Sequence, residues 1–139
     1  MGEVSKASFS FENYIIRDAT IHVSKKQIDN HINFKFEPKG LIDKEQKIFT
    51  LSLGTFVEDE SRSFEIRVFA DATFKYVEDE NGNIREVFLI HNAPAILFPY
   101  IRAYISALSS LSGIPTILLP TINMSVLAEE LRANLVTKE

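Results

Sequence analysis

Apolar and polar residues alternate along the first half of the chain, as they do in strands that bury one face. Residues 64–76 carry an apolar side chain at every second position, and residues 49–57 repeat this pattern. The polar run at 58–61 predicts a turn that makes these two strands antiparallel neighbours. A third strand is predicted at residues 32–36, and the residues expected to close it are Pro38 and Gly40.

The first strand is predicted in the N-terminal run 7–23, where the alternation is less regular. The apolar parity shifts between Phe11 and Tyr14, and it shifts again before Ile21. A β-bulge inserts one residue into a strand and changes which face the following side chains occupy. The run therefore predicts a single bulged or bent strand.

A long block at residues 92–123, NAPAILFPYIRAYISALSSLSGIPTILLPTIN, carries one formal charge, Arg102. Together with Pro99 and four serines, this charge argues against a membrane span. Within the block, a helix of about four turns is predicted around the apolar residues from Leu97 to Leu111, because they recur at steps of three and four. Gly113 and Pro115 are expected to end it. The residues predicted to face the core are Leu97, Ile101, Tyr104, Leu108 and Leu111.

Small residues form a second face of this helix, at Ala103, Ala107 and Ser110, where another helix could approach closely. Beyond the helix, residues 114–123 predict an extended connector because two prolines interrupt them. Asn123 or Ser125 is expected to cap a last helix. The apolar positions assigned to that last helix are Val126, Leu127, Leu131 and Leu135.

Four strands followed by two helices predict an α+β fold: a four-stranded antiparallel sheet with both helices packed on one face. With 139 residues, the chain is expected to form one domain, residues 1–139. A net charge of −4 argues against general binding to nucleic acid, which needs a basic surface. No cysteine is present, and the N-terminal residues lack the apolar run of a signal peptide, so a cytoplasmic protein is expected.

Residues that could perform chemistry are sparse. His22, His31 and His91 show no metal-ligand spacing, and the glycines form no phosphate-binding loop. The acidic clusters at 58–60 and 78–80 fall at turn positions, which favours solvated loops over paired catalytic carboxylates. We therefore expect no enzymatic activity, metal or cofactor. The remaining signal is a surplus of apolar side chains, which either complete the core and an oligomer interface or form an exposed apolar groove.

Three motifs in the chain resemble the SecB family of protein-export chaperones. In that family an N-I-L-F-P-Y-x-R run opens the long helix, a Gly-x-P turn ends it, and an L-x-P-x-N segment follows. The corresponding segments here are 96–102, 113–115 and 119–123. The run FSFENYIIRDATI also resembles the first strand of the family, with matching residues at Tyr14, Arg17 and Asp18.

The resemblance implies an ATP-independent holdase that keeps unfolded preproteins soluble in apolar grooves and assembles as a homotetramer, a dimer of dimers. The alternatives are a dedicated chaperone of an antitoxin in a toxin–antitoxin system, and a small-ligand-binding α+β domain. Core packing competes with groove contact at every position assigned to the groove. By position, the predicted groove residues are Ile84, Val87, Phe88, Leu89 and Ile90 before the helix, Tyr100 near its start, and Leu127, Leu131 and Leu135 in the last helix.

The resemblance also implies docking of the SecA motor on acidic residues of the sheet. Asp18 is the one clear counterpart of those acids. His22 stands where a second acid is expected, and Arg67 stands at a further acidic position. Because a reversed charge weakens or redirects an electrostatic contact, we expect docking of SecA, unlike binding of unfolded clients, to be weakened or redirected.

Overall fold

The computed structural model describes residues 9–82 and 86–138. Within these ranges the strands are β1 (Phe9–Val23), β2 (Ile32–Asp43), β3 (Ile48–Asp59), β4 (Phe64–Tyr76) and β5 (Leu135–Lys138). They form one sheet in the order β1-β4-β3-β2-β5. The first four strands pair antiparallel, as the alternating pattern predicts, whereas β5 pairs parallel to β2.

The helical elements follow β4 and cover one face of the sheet. They are α1 (Glu86–Leu111), a 3₁₀ turn (Met124–Leu127) and α2 (Ala128–Ala133). The predicted arrangement of a sheet followed by two helices is confirmed, with a fifth strand that the sequence analysis did not predict. Among residues 9–82 and 86–138, no helix combines the length and the hydropathy that a transmembrane span requires.

Strand β1 contains the two irregularities that its sequence predicts. The register with β4 shifts between Phe11 and Asn13 and again between Ile16 and Asp18. Each shift absorbs one residue, so apolar side chains on both sides of it remain on the helix-covered face. The changing parity of the sequence was therefore a sign of bulges within one strand.

Strand β2 continues to Asp43, so the prediction that Pro38 and Gly40 close it was wrong. Up to Lys39, β2 has a strand neighbour on one side only, β3. A proline is tolerated where its missing N–H faces an open edge. Gly40 is required for space, since an added Cβ would lie 2.8 Å from Leu135 Cδ1 and 2.8 Å from Phe49 Cε1.

Helix α1 begins at Glu86, about three turns before Leu97, where the predicted apolar repeat begins, and it contains both Pro94 and Pro99. Proline costs an intrahelical hydrogen bond, but burial of an apolar stripe outweighs that loss. The helix ends at Leu111, and Gly113 follows with φ of +87°, as expected for a glycine stop. The buried positions of α1 are Leu89, Ile90, Ala93, Pro94, Leu97, Phe98, Ile101, Ile105 and Ser109.

This stripe differs in part from the predicted core face. Leu97 and Ile101 are buried as predicted, but Tyr104 is 36% exposed and Leu111 is 88% exposed. After Ile101 the buried positions advance by four residues, to Ile105 and Ser109, instead of by three. Steps of four keep these positions buried, and Tyr104 and Leu111 lie outside the stripe.

Polar side chains of α1 hold the connector at residues 114–123 against the helix. Arg102 Nε donates a hydrogen bond to the carbonyl of Leu119. Ser106 Oγ donates to the carbonyl of Ile117 at 3.1 Å, and Ser109 Oγ accepts from the Ile117 amide at 2.8 Å. The one charge of the block and its serines therefore satisfy the backbone of a segment that forms no regular structure.

The C-terminal region is shorter in helix than predicted. Asn123 caps the 3₁₀ turn, because its Oδ1 accepts from the Ser125 amide at 3.1 Å. Helix α2 then ends at Ala133, and Leu135 lies in β5 instead of in the predicted helix. Leu135 packs against Gly40, where a side chain would otherwise stand, and this contact would be lost if α2 continued through residue 135.

Two aspartates join the β1–β2 loop to the β3–β4 turn. Asp29 Oδ2 accepts from the Ser61 amide at 2.9 Å, and Asp59 Oδ2 accepts from the Asp29 amide at 3.1 Å. Within the turn, Asp59 Oδ1 also accepts from the Ser63 amide at 2.6 Å. The Ser61 hydroxyl and amide lower the pKa of Asp29. Burial alone would raise the pKa of Asp59, but hydrogen bonds from the backbone of Asp29 and from Ser63 outweigh it and lower that pKa. Asp59 is therefore a buried structural carboxylate, where the sequence analysis expected a solvated loop.

We predict that Ser109→Ala lowers the free energy of unfolding by about 1–3 kcal/mol, because the buried Ile117 amide loses its acceptor. Urea denaturation followed by circular dichroism measures the change. Ser112→Ala is the control, since Ser112 is exposed near the end of the same helix, and it should change stability by less than about 0.5 kcal/mol. Equal effects of the two substitutions would contradict this assignment.

We predict that acid destabilises the fold through Asp29 and Asp59. Because their pKa values are lowered in the folded state, their contribution is present above the ordinary carboxyl pKa of about 3.9 and is lost as the pH falls through the lowered values. In Asp59→Asn the free energy of unfolding should fall less steeply between about pH 5 and pH 2 than in the wild type. Glu60→Gln, at an exposed neighbouring position, should keep the wild-type slope. If the free energy of unfolding of Asp59→Asn fell with pH as steeply as that of the wild type, the assignment would be refuted.

Candidate functional site

An aromatic cluster forms where β1 passes beside α1. The ring centroids of Tyr14 and Tyr100 lie 4.6 Å apart, and Phe11 lies 5.7 Å from Tyr100 and 6.3 Å from Tyr14. Phe11 also contacts the buried Phe74 at 5.5 Å. Tyr14 is 39% exposed and Tyr100 is 41% exposed, although both are large aromatic residues. The cluster therefore joins the core to an accessible aromatic surface, which we call the aromatic patch (Phe11, Tyr14 and Tyr100).

The bulge in β1 creates this patch. Phe11 pairs with Phe74 and Tyr14 pairs with Ala72, and both partners point into the core. Without the register shift between Phe11 and Asn13, residues 11 and 14 would lie on opposite faces of the strand. The irregularity that blurred the sequence pattern thus places two aromatic side chains on one face.

The side of α1 that faces away from the sheet carries no formal charge from Ala95 to Leu111. Ala95, Pro99, Ala103 and Ala107 recur at steps of four and are exposed. At 1.5 Å per residue, this face runs for about 24 Å. We call it the outer stripe of α1. The large apolar residues exposed beside it are Tyr100, Tyr104 and Leu111.

The structure divides the predicted groove residues between surface and core. Val87 is 60% exposed and Tyr100 is 41% exposed, so both are accessible in the single chain. Ile84 and the side chain of Phe88 lie outside the described residues. The predicted residues that are buried in the core are Leu89, Ile90, Leu127 and Leu131.

Leu135 is half-buried and packs against Gly40 of β2. Within the described part of the chain, the predicted residues are therefore divided between the surface and the core instead of lining one groove. The fold places Tyr100 beside Phe11 and Tyr14, which the sequence analysis did not assign to the site. The parity shift in β1 was the signal that could have identified them.

The residues compared with acidic docking positions share the face of the sheet opposite the helices. Asp18 pairs with Phe69, and His22 pairs with Glu65. Arg67 lies on the same exposed side, since its register neighbour Thr20 lies between Asp18 and His22. The surface is mixed in charge, so it offers no continuous acidic area.

Aromatic side chains also occur on this opposite face. Phe56 and Phe69 meet edge to face at 5.6 Å, and Lys35 Nζ lies 5.3 Å from the centre of the Phe56 ring. A shallow cavity of about 260 Å³ is lined by charged residues of both signs, among them Arg67 and Glu65. No cluster of three or more metal-ligating side chains occurs in residues 9–82 and 86–138.

Comparison with known proteins connects this architecture to a family. The family model described as SecB, preprotein translocase subunit SecB, matches residues 6–134. The chain is 26% identical over 128 residues to uncharacterized protein MJ0357 of Methanocaldococcus jannaschii, with 86% of this chain and 82% of that protein covered.

Among solved structures, the fold is similar to the Rv1957 SecB-like chaperone of Mycobacterium tuberculosis, which was determined in complex with a ChAD peptide from the Rv1956 HigA1 antitoxin. The TM-score is 0.72 at 16% identity, and the match covers 83% of this chain and 91% of that one. At this identity the likeness concerns the fold, while the family model covers nearly the whole sequence. The chain therefore belongs to the SecB family, and it is a holdase chaperone.

Proposed function

We propose that the protein binds extended apolar segments of unfolded preproteins at the aromatic patch, without nucleotide, and thereby keeps them soluble. The single observation that carries this proposal is the exposure of Tyr14 and Tyr100 beside the core. Large aromatic side chains at a surface mark sites of interaction when they form a contiguous patch. This patch also contains Tyr100, one of the residues that the sequence assigned to client binding.

The chemistry of the patch favours weak, unselective contacts. Aromatic pairs contribute about 0.5–1.5 kcal/mol beyond the area that they bury. Tyrosine hydroxyls add hydrogen bonds at the rim, and neither Tyr14 nor Tyr100 imposes a charge on the ligand. Affinity for a long client then comes from several such contacts made together, with little dependence on its sequence.

Open strand edges supply a second kind of contact. β1 forms one edge of the sheet, and the part of β2 before Gly40 has no strand on its outer side within the described ranges. An extended polypeptide can add to such an edge through backbone hydrogen bonds, which do not depend on its side chains. Aromatic and backbone contacts together suit non-native clients, whose backbone amides are still unpaired.

We also propose that the outer stripe of α1 is a contact between copies of this chain in a homotetramer, a dimer of dimers. Its small side chains let a second helix approach closely, and its lack of charge removes the cost of burying an ion. A stripe about 24 Å long is comparable to the span of an ordinary subunit contact. The exposed Leu111 would be covered by the same association.

A dedicated antitoxin chaperone is the second candidate function. It is favoured by the similar fold of the SecB-like chaperone that was solved with an antitoxin peptide. A dedicated chaperone would bind one apolar peptide tightly, whereas a general holdase binds many unfolded proteins with similar affinity. A cytoplasmic location suits both functions.

Delivery to SecA remains a further prediction, and it depends on Asp18. Asp18 is exposed on the sheet face away from the helices, in a suitable place for a docking contact. Arg67 and His22 lie on the same face and remove its acidic character. Long-range attraction of a basic partner would therefore be weaker here than on a uniformly acidic face.

We predict that Tyr14→Ser with Tyr100→Ser raises the chaperone concentration needed for half-suppression of aggregation by about fivefold. The change removes two accessible aromatic contacts, which corresponds to about 1 kcal/mol of binding free energy. Light scattering of an unrelated protein diluted from denaturant provides the measurement. A dedicated chaperone would instead fail to suppress aggregation of several unrelated proteins even before substitution.

Phe69→Ser is the matched control, because Phe69 is 38% exposed, about as much as Tyr14, but on the opposite face. It should leave suppression close to wild type. Analytical ultracentrifugation must show that both variants retain the mass of the wild-type assembly. Equal losses in the patch variant and the control would disprove the location of the site.

We predict that Ala103→Glu reduces the molecular mass of the assembly at least twofold, because a carboxylate would be buried in the contact. Ala103 is exposed in the single chain, so the substitution should leave the fold intact. Analytical ultracentrifugation and circular dichroism measure the two properties. Thr20→Glu, exposed on the sheet, should retain the wild-type mass. A wild-type mass in Ala103→Glu would rule out the outer stripe as the contact.

A further inference from the structure

The C-terminal strand β5 occupies part of an edge that is otherwise open. β5 pairs parallel to β2 from Gly40 to Asp43, and it pairs with no other strand in the described part of the chain. Immediately before Gly40, the same edge of β2 has no strand beside it. One continuous edge of twelve residues, Ile32–Asp43, is therefore covered along its last third only.

β5 lies in a site on the edge of β2 whose shape is set by Gly40 and Phe49, and we call this site the seat of β5. An aliphatic side chain, Leu135, fills the space that the missing Cβ of Gly40 leaves open. Phe49 forms the floor of this space, since its Cε1 atom lies 2.8 Å from the position of an added Cβ at Gly40. The residue opposite Gly40 determines how well a strand fits this site. A polar or bulky residue there would lose the contact with Phe49.

Backbone and side-chain hydrogen bonds mark both ends of the seat. The Gly40 amide donates to the carbonyl of Asn134 at 3.2 Å, and the Lys44 amide donates to the carbonyl of Lys138 at 3.3 Å. Asn134 Nδ2 donates to the carbonyl of Pro38 at 3.4 Å. Apart from this side-chain amide, the bonds use backbone groups that any extended polypeptide possesses.

Little else holds β5 in place. Leu135 is half-buried, whereas the three residues after it are exposed, and Val136 is 60% exposed. The preceding helix α2 has only six residues. Short segments with few buried apolar contacts open far more readily than the core of a protein. β5 is therefore the strand of this sheet that is most easily replaced.

We propose that the seat of β5 is a binding site for an extended client strand with an aliphatic residue opposite Gly40, and that β5 occupies it until a client displaces it. This inference rests on the proposed function, because the displacing strand is a segment of an unfolded client. β5 is therefore an intramolecular competitor of the client strand. The apparent affinity for clients equals the intrinsic affinity multiplied by the fraction of molecules in which the seat is free.

Displacement also lengthens the surface that is available. When β5 leaves, the edge of β2 is open from Ile32 to Asp43, and a client strand can pair along all twelve residues. A client that lacks an aliphatic residue at the required position would pair only with the part before Gly40. The seat thus favours long apolar segments, which are a property of unfolded proteins, over short exposed strands of folded ones.

The test is a disulfide that locks β5 onto β2. Leu41 and Val136 are directly paired and both are exposed, and the chain contains no cysteine of its own. A Leu41→Cys and Val136→Cys variant can therefore be compared with itself in the oxidised and reduced states. The probe is fluorescently labelled, reduced and carboxymethylated α-lactalbumin, which is permanently unfolded, and the readout is the Kd from fluorescence anisotropy.

We expect the oxidised variant to bind the probe at least about fivefold more weakly than the reduced variant, which is the lower end of ordinary coupling between two binding events. Equal affinity in the two states would overturn the inference and leave the proposed function intact. Failure of the reduced variant and of the wild type to bind the probe would overturn both. The single Leu41→Cys variant, treated with the same oxidant, should bind as the wild type does.

Hydrogen exchange of the wild type provides a second measurement that does not depend on the disulfide. At saturating probe, the amides of Val136 and Lys138, which face β2 in the parallel ladder, should exchange faster, while those of Gly40 and Lys44 remain protected by the incoming strand. Continued protection of Val136 and Lys138 in the complex would overturn the inference. Leu135→Ser should tighten binding of the probe, and Val136→Ser, one residue away on the exposed side, should leave it unchanged.

Discussion

The burial of one apolar stripe of α1 against the sheet is the interaction on which the rest of the structure depends. Leu97, Ile101 and Ile105 advance by four residues and are completely buried. Because this stripe uses only one side of a long helix, the other side is left uncovered. The chain places small and uncharged residues there, so the same helix organises the interior of one copy and leaves a surface that suits contact with another.

Polar groups are used sparingly in this arrangement, and their main role is to satisfy backbone. Arg102 donates to the carbonyl of Leu119, and Ser109 accepts from the amide of Ile117. The connector can therefore cross the helix without regular structure and still bury Ile114, Ile117 and Leu119. An arginine in an apolar block would ordinarily suggest a binding site, but here its hydrogen bond supports the fold.

Local patterns predicted the four antiparallel strands, the bulges of β1 and the glycine stop of α1, because period and turn chemistry are properties of neighbouring residues. The start of α1 and the strand β5 could not be predicted in this way. Leu135 fits a helical period, and only the space above Gly40, ninety-five positions earlier, selects a strand. The same limit applies to the site: Tyr100 could be proposed from sequence, whereas its proximity to Tyr14 depends on how the sheet and the helix meet.

The link between Asp29 and Asp59 has a consequence for the open edge of β2. The amide of Glu60 donates to the carbonyl of His31 at 3.1 Å, so the loop before β2 and the turn after β3 are tied together at the point where that edge begins. One end of the edge is thus fixed by the carboxylates of Asp29 and the buried Asp59, and the other is closed by a four-residue strand. In the proposed binding mode, every client strand therefore pairs with β2 from the same fixed end. Clients of different length differ only in how far their pairing extends toward Asp43.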